Sequence, residues 1–118
     1  VNGANILVLG VAYKKNIDDV RESPALDIIR LLQEKGANVE YYDPFIDSIR
    51  LDGTAMDSIE YSSQMFAEYD CVVLATDHST FDNDEIIEKS QLVIDTRNAL
   101  NFKDKDRPEN VIKLGAAN

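Results

Sequence analysis

The sequence is poor in cysteine, in positive charge and in long apolar runs. A single cysteine, Cys71, among 118 residues excludes an internal disulfide. Twelve Lys and Arg face 22 Asp and Glu, a formal charge of -10, which repels a nucleic-acid backbone or an anionic membrane unless the cations are segregated. No apolar run is long enough to span a bilayer or flanked as in a secretory signal, so the expectation is a cytoplasmic chain with neither a nucleic-acid nor a membrane partner. The chain opens on Val1 rather than Met, directly before an apolar run, and residues 1–118 are read as one domain cut from something longer. That length suffices for a single core, since a domain of this size buries roughly two-thirds of its unfolded surface.

What is there alternates between two periods. "NILVLG" (5–10) is a short branched run ending in glycine, the pattern of a strand buried on both faces. "SPALDIIRLLQEKG" follows as a helix: Ser23 caps it, Pro24 takes the first helical position and Gly36 supplies the left-handed stop, with Ala25, Ile28, Ile29 and Leu32 on one face. "ANVEYYDP" predicts a second strand closed by Asp43 and Pro44, residues 45–57 a loop, 58–61 a short strand, and 62–69 a brief helix. "CVVLAT" (71–76) reads as buried strand, "DNDEIIEKS" (82–90) as a helix with acids at its positive end, "LVIDT" (92–96) as strand and "NVIKLG" (110–115) as an edge strand. The polar stretch "NFKDKDRPEN" lies between the last two. Alternating strands and helices imply an α/β fold: a Rossmann-like three-layer sandwich with a mainly parallel sheet. In the usual 3-2-1-4-5-6 order, ligands sit beyond the carboxyl ends of the strands, so the loops that matter begin at Gly10, Thr76 and Asp95.

Those loops gather the scarce cations. Lys14, Lys15 and Arg21 follow the first strand and Arg97 follows "LVIDT", so positive charge from two segments converges on one edge of an acidic protein. An anion is the natural ligand: arginine grips a phosphate through two parallel hydrogen bonds, lysine acts as a point charge, and the helix start adds the N–H groups of Ala25 and Leu26. The competing reading is solvated lysines that offset Asp18, Asp19 and Glu22, and for Lys15 it is the stronger one. Tyr13 either stacks on a ring or packs under the loop.

A nicotinamide-binding domain is the rival, and Asp43 stands where an acid would meet an adenosine ribose. The first turn reads "GVAYKKN", however, with Ala12 and Lys15 where the fingerprint needs its second and third glycines, and Asp43 before Pro44 reads better as a turn former. Cys71 begins a buried strand with no His near it and reads as structural, and His78 reads as a polar loop residue.

"GVAYKKNIDDVRESPALDII", "YYDP", "ATDHSTFD" and "DTRNA", in that order, resemble the C-terminal domain of the UDP-glucose/GDP-mannose dehydrogenase family over nearly the whole chain. The opening run and "DTRN" are most similar to the branch that oxidises UDP-N-acetylglucosamine or UDP-N-acetylmannosamine at C6. The resemblance implies a three-part enzyme, with an N-terminal NAD-binding domain, a helical middle that forms the homodimer, and this domain closing over the UDP-sugar. Two hydride transfers to NAD turn a primary alcohol into a carboxylate by way of a cysteine that lies upstream. Carried onto matching positions, Tyr13 and Lys14 of "AYK" and Arg97 of "DTR" contact the UDP-sugar, and Arg21 of "VRESP" reaches the NAD. Cys71 matches no catalytic position, so the resemblance implies that this chain alone binds weakly and catalyses nothing; no metal is expected, because His78 has no legible partner ligands. The reading of a different class is a stand-alone Rossmann-like module that binds a nucleotide or another phosphorylated ligand.

Overall fold

The computed structural model describes residues 2–12, 23–76, 78–96 and 109–113. Ile6 to Leu9 have almost no contact with solvent, so strand β1 (Asn5–Leu9) can only be central. It pairs in parallel with β2 (Asn38–Tyr42) on one side and β5 (Cys71–Leu74) on the other. Parallel β6 (Val93–Asp95) and β7 (Val111–Lys113) complete the sheet in the order β2-β1-β5-β6-β7. The predicted neighbours of β1 and β5 are therefore the observed ones, and β7 is an edge strand.

Alternation along β1 and β5 splits the core between two faces. Ile6, Val8 and Val73 point to one face, where Tyr41 of β2 and Ala25 and Ile29 of helix α1 (Pro24–Glu34) cover them. Leu7, Leu9, Val72 and Leu74 point to the other, against Met65 and Phe66 of a one-turn 3-10 helix (Met65–Glu68) and Ile86 of helix α2 (Asn83–Lys89). Each such aliphatic side chain withdrawn from water contributes about 1.5–3 kcal/mol, so these two layers hold the sheet. Sheet and covering layers make the expected three-layer α/β sandwich.

The helix boundaries follow their caps. The Ser23 hydroxyl accepts from the Ala25 N–H at 3.2 Å, Pro24 opens α1, and Gly36 ends it with φ +91°. Asp82 caps α2 by accepting from the Glu85 N–H at 3.1 Å.

Three expectations are corrected. Residues 45–57 are not simply loop: β3 (Ser48–Leu51) and β4 (Thr54–Asp57) form an antiparallel hairpin. Its two turn residues, Asp52 and Gly53, both have positive φ (51° and 85°), the condition for the tight hairpin turn that Asp-Gly favours. Residues 58–61 are not a strand; they run beside β2, with one bond from the Ile59 N–H to the Tyr41 carbonyl at 2.9 Å. The helix expected over 62–69 shrinks to the single 3-10 turn. The hairpin, a sheet of its own, stands in chain order where the outermost strand of the usual doubly wound sheet would fall, so β2 is an edge. Among the described residues no helix is long and apolar enough to cross a membrane.

Candidate functional site

The carboxyl ends of β1, β2, β5 and β6 share one rim of the sheet. At the end of β1 the chain turns at Gly10, with φ +85° and its N–H bonded to the Tyr42 carbonyl at 2.9 Å. A Cβ on Gly10 would stand 2.5 Å from the Thr76 Cβ and 2.7 Å from the Thr76 carbonyl oxygen, so the turn admits only glycine. The next two residues, Val11 and Ala12, are buried.

Their N–H groups point at a carboxylate of the protein itself. Asp43, the residue after β2, accepts at Oδ2 from Val11 N–H at 2.8 Å and from Ala12 N–H at 3.2 Å. The same oxygen lies 2.9 Å from His78 Nε2, and Oδ1 accepts from the Phe45 N–H at 2.8 Å. Both side chains of the Asp43–His78 pair are fully buried. Burial by itself pushes the Asp43 carboxyl upward. The His78 hydrogen bond and the N–H groups of Phe45 and Val11 outweigh it and hold the group below the ordinary carboxylate range. An ionised carboxylate only accepts, so His78 Nε2 carries the proton in this bond. Phe45 and Phe81 flank the imidazole at 4.9 and 5.4 Å between ring centres.

One sequence reading holds here and one changes. Asp43 does form the expected turn contact through Phe45, but it is neither exposed nor available to a ribose. His78 is no polar loop residue; it is a buried partner, 1% exposed. The two stand 35 residues apart, so no spacing rule links them, and the only signal is that each follows a strand on the ligand side of the sheet. The Ala25 and Leu26 N–H groups, expected to face an anion, are taken by Ser23: Ala25 by its hydroxyl, and Leu26 by its carbonyl at 3.2 Å. Cys71 is buried at the start of β5, its thiol pushed up to about 11 by burial and by the neighbouring Asp70 carboxylate, in accord with a structural role.

Tyr13, Lys14, Lys15 and Arg21 fall within 13–22, and Arg97 within 97–108, outside the described residues. The structure does fix their points of departure. The Ala12 carbonyl, just before Tyr13, accepts from the Thr76 hydroxyl at 2.8 Å and from the Ser23 hydroxyl at 3.4 Å. Thr96, just before Arg97, donates its hydroxyl to the Leu74 carbonyl at 2.8 Å. Both segments thus leave from the two sides of the end of β5.

Beside this rim, on the α2 face, a cavity of about 350 Å³ is walled by Leu9, Tyr42, Tyr61, Phe66 and Phe81. It is mainly apolar, and among the described residues no cation lines it. A wider hollow of about 570 Å³, next to Asn5, Asn38 and Glu68, lies where the strands begin, the wrong end for a ligand of a parallel sheet. Among the described residues no cluster of His, Cys, Asp and Glu has the makings of a metal site.

The turn also decides what it does not hold. A dinucleotide pyrophosphate needs open N–H donors and a backbone bare of side chains at the first turn. Asp43 occupies the Val11 and Ala12 donors, and Ala12 carries a methyl group. The described residues do not fit NAD.

Residues 7–102 match the model of the UDP-glucose/GDP-mannose dehydrogenase family, UDP binding domain. The chain belongs to that family. It is 37% identical over 103 residues to a UDP-N-acetyl-D-mannosamine dehydrogenase of Methanococcus maripaludis, an alignment covering 80% of this chain and 23% of that protein. It is 35% identical over 112 residues to a UDP-glucose 6-dehydrogenase of Bacillus subtilis, covering 88% of this chain and 24% of the relative. Among solved structures, a UDP-D-ManNAc dehydrogenase from Pyrococcus horikoshii superposes with a TM-score of 0.69 at 28% identity, over 95% of this chain and 25% of the other. This member of the family therefore spans about a quarter of the length of the dehydrogenases it matches.

Proposed function

We propose that the chain is the C-terminal, sugar-nucleotide-binding domain of an NAD-dependent dehydrogenase that oxidises the C6 alcohol of a UDP-N-acetylhexosamine to the uronate. The observation that carries this reading is the family match, because the matched segment is the UDP binding domain of that family. Support also comes from the rim: Ala12 and Thr96, the residues before Tyr13 and Arg97, are anchored on either side of β5. In this reading Lys14 and Arg97 hold the diphosphate, Arg97 through paired hydrogen bonds, and Tyr13 lies against the sugar nucleotide. Such contacts fix the substrate so that C6 is presented to groups in the rest of the enzyme, within a crevice closed to water. NAD, when bound elsewhere in the enzyme, supplies the hydride acceptor, and Arg21 reaches toward it. The other domains of the same homodimeric, cytoplasmic enzyme are the partners. UDP-glucose is the second reading, favoured by the alignment to the Bacillus subtilis relative over 112 residues.

Calorimetric titration of the chain with UDP, and separately with NAD, tests this. UDP heat should weaken in Lys14→Ala and in Arg97→Ala by about 10- to 100-fold in Kd, the weight of one charge-assisted hydrogen bond, while NAD gives no heat. UDP binding untouched by both substitutions would overturn the assignment. Turnover of the intact enzyme on UDP-N-acetylmannosamine, UDP-N-acetylglucosamine and UDP-glucose separates the two branches.

A further inference from the structure

A carboxylate with a fully buried side chain is costly to keep in a small domain, and an apolar pair of the same volume would serve stability as well. Asp43 and His78 are therefore not accounted for by packing. Their geometry ties together three neighbouring chain segments. One oxygen of Asp43, at the end of β2, gathers the Val11 and Ala12 N–H groups beyond β1 and the His78 Nε2 beyond β5. The Ala12 carbonyl is held from the opposite side by the hydroxyls of Thr76 and Ser23. Strand β1 ends at Leu9, so the sheet itself asks for none of this. What the bonds hold is the peptide at Ala12, immediately before Tyr13 and Lys14. Phe45 and Phe81 pack on the imidazole and fix the direction in which Nε2 points.

We infer that Asp43 and His78 are positioning residues for sugar-nucleotide binding: the pair holds the Val11 and Ala12 amides and so sets where the chain departs toward Tyr13 and Lys14. The inference rests on the function proposed above, and neither residue touches the ligand. Asp43 supplies the acceptor, and His78 orients that acceptor from the far side. Loss of His78 leaves the carboxylate free to turn away from the two amides, and the Ala12 peptide, the point of departure toward Tyr13 and Lys14, is then no longer fixed from that side.

The test uses the 118-residue chain, with His78→Phe to remove the donor while filling the space between the two phenylalanines, and His78→Gln to restore a donor. His78→Asn, too short to reach Asp43, replaces His78→Phe if that variant does not fold. Backbone amide exchange and UDP affinity are measured well below the unfolding temperature, with Lys14→Ala alongside. In the donor-less variant, exchange at Val11 and Ala12 should quicken at least about tenfold more than at Leu7 and Val8, and the Kd for UDP should rise about tenfold, the scale of one charged hydrogen bond. His78→Gln should recover both. Exchange that rises uniformly along β1, or not at all at Val11 and Ala12, would reduce the pair to a contributor to stability and overturn the inference. Local exchange with unchanged UDP affinity, while Lys14→Ala weakens UDP, would overturn the positioning role and leave the proposed function standing. UDP heat that is absent, or indifferent to Lys14→Ala, would count against the proposed function instead. The positioning role would fall with it, whatever the amide pattern.

Discussion

Replacing Gly10 by alanine sets a conformational and a packing requirement against the chain at the same residue. The φ of +85° costs an L-residue about 1–2 kcal/mol. The new methyl would also stand 2.5 Å from the Thr76 Cβ, 2.7 Å from its carbonyl oxygen and 2.9 Å from its nitrogen. Two of those atoms are backbone, and that backbone is held by the Ala75 and Thr76 N–H groups on the Leu9 carbonyl at 2.9 and 3.2 Å. Neither side gives way unless β1 and β5 part at their ends, an overpacking cost of about 1–3 kcal/mol. The expected loss is then about 2–5 kcal/mol, summing the two effects. Gly53 provides the control: it has the same φ of +85° but nothing within 4 Å of an added Cβ. Gly53→Ala should lose only the conformational share, about 1–2 kcal/mol. Urea unfolding followed by circular dichroism measures both, and with no tryptophan in the chain a far-UV signal is the practical probe. Equal urea midpoints for the two variants would refute the claim that Gly10 is demanded by its contact with Thr76.

Ser23→Ala removes the cap of α1 and a donor to Ala12, and should cost about 1–2 kcal/mol by the same assay; a loss below a few tenths would show that the cap contributes nothing. Asp43 has its folded pKa depressed, so its contribution is complete above the ordinary carboxylate value near 4 and is lost as pH falls through its lower folded value. The stability gap between the natural chain and Asp43→Asn should accordingly narrow below about pH 4, and a gap constant from pH 7 to pH 2 would contradict this. Cys71, buried with its thiol pushed up to about 11, should resist a disulfide reagent at pH 8 in the native chain and react in urea. Native labelling as fast as that of the unfolded chain would contradict the burial.

The parts of the fold that sequence pattern carries well are those where local chemistry and burial agree. The branched runs at 5–10 and 71–76, the Ser-Pro start of α1 and its Gly36 stop each state their element within a few residues. The hairpin β3–β4 escaped because only Ile49 and Leu51 of β3, with a half-buried Met56 on β4, face the core, too few positions for alternation to stand out in a polar stretch, although the Asp-Gly pair marked the turn. The site was legible as an edge, through Gly10, Thr76 and Asp95, and not as a set of contacts. From sequence Asp43 reads as a ribose ligand or a turn former, and His78 as a polar loop residue. Their pairing is made by the fold, which brings the ends of β2 and β5 to either side of β1. Nothing local to either residue announces it.

The central place of β1 also bears on how the chain is made. Its neighbour β5 lies far downstream, and the bond from the Asn5 N–H to the Asp70 carboxylate spans 65 residues. A ribosome adding ~5–20 residues per second needs about 3–13 s to cover that distance. For that interval Ile6–Leu9, almost wholly dry in the finished domain, have β2 at most on one side and a bare edge on the other. During synthesis, then, the strand that ends as the most sheltered is the one most open to pairing with a stranger, and chaperone demand should fall once Leu74 has emerged.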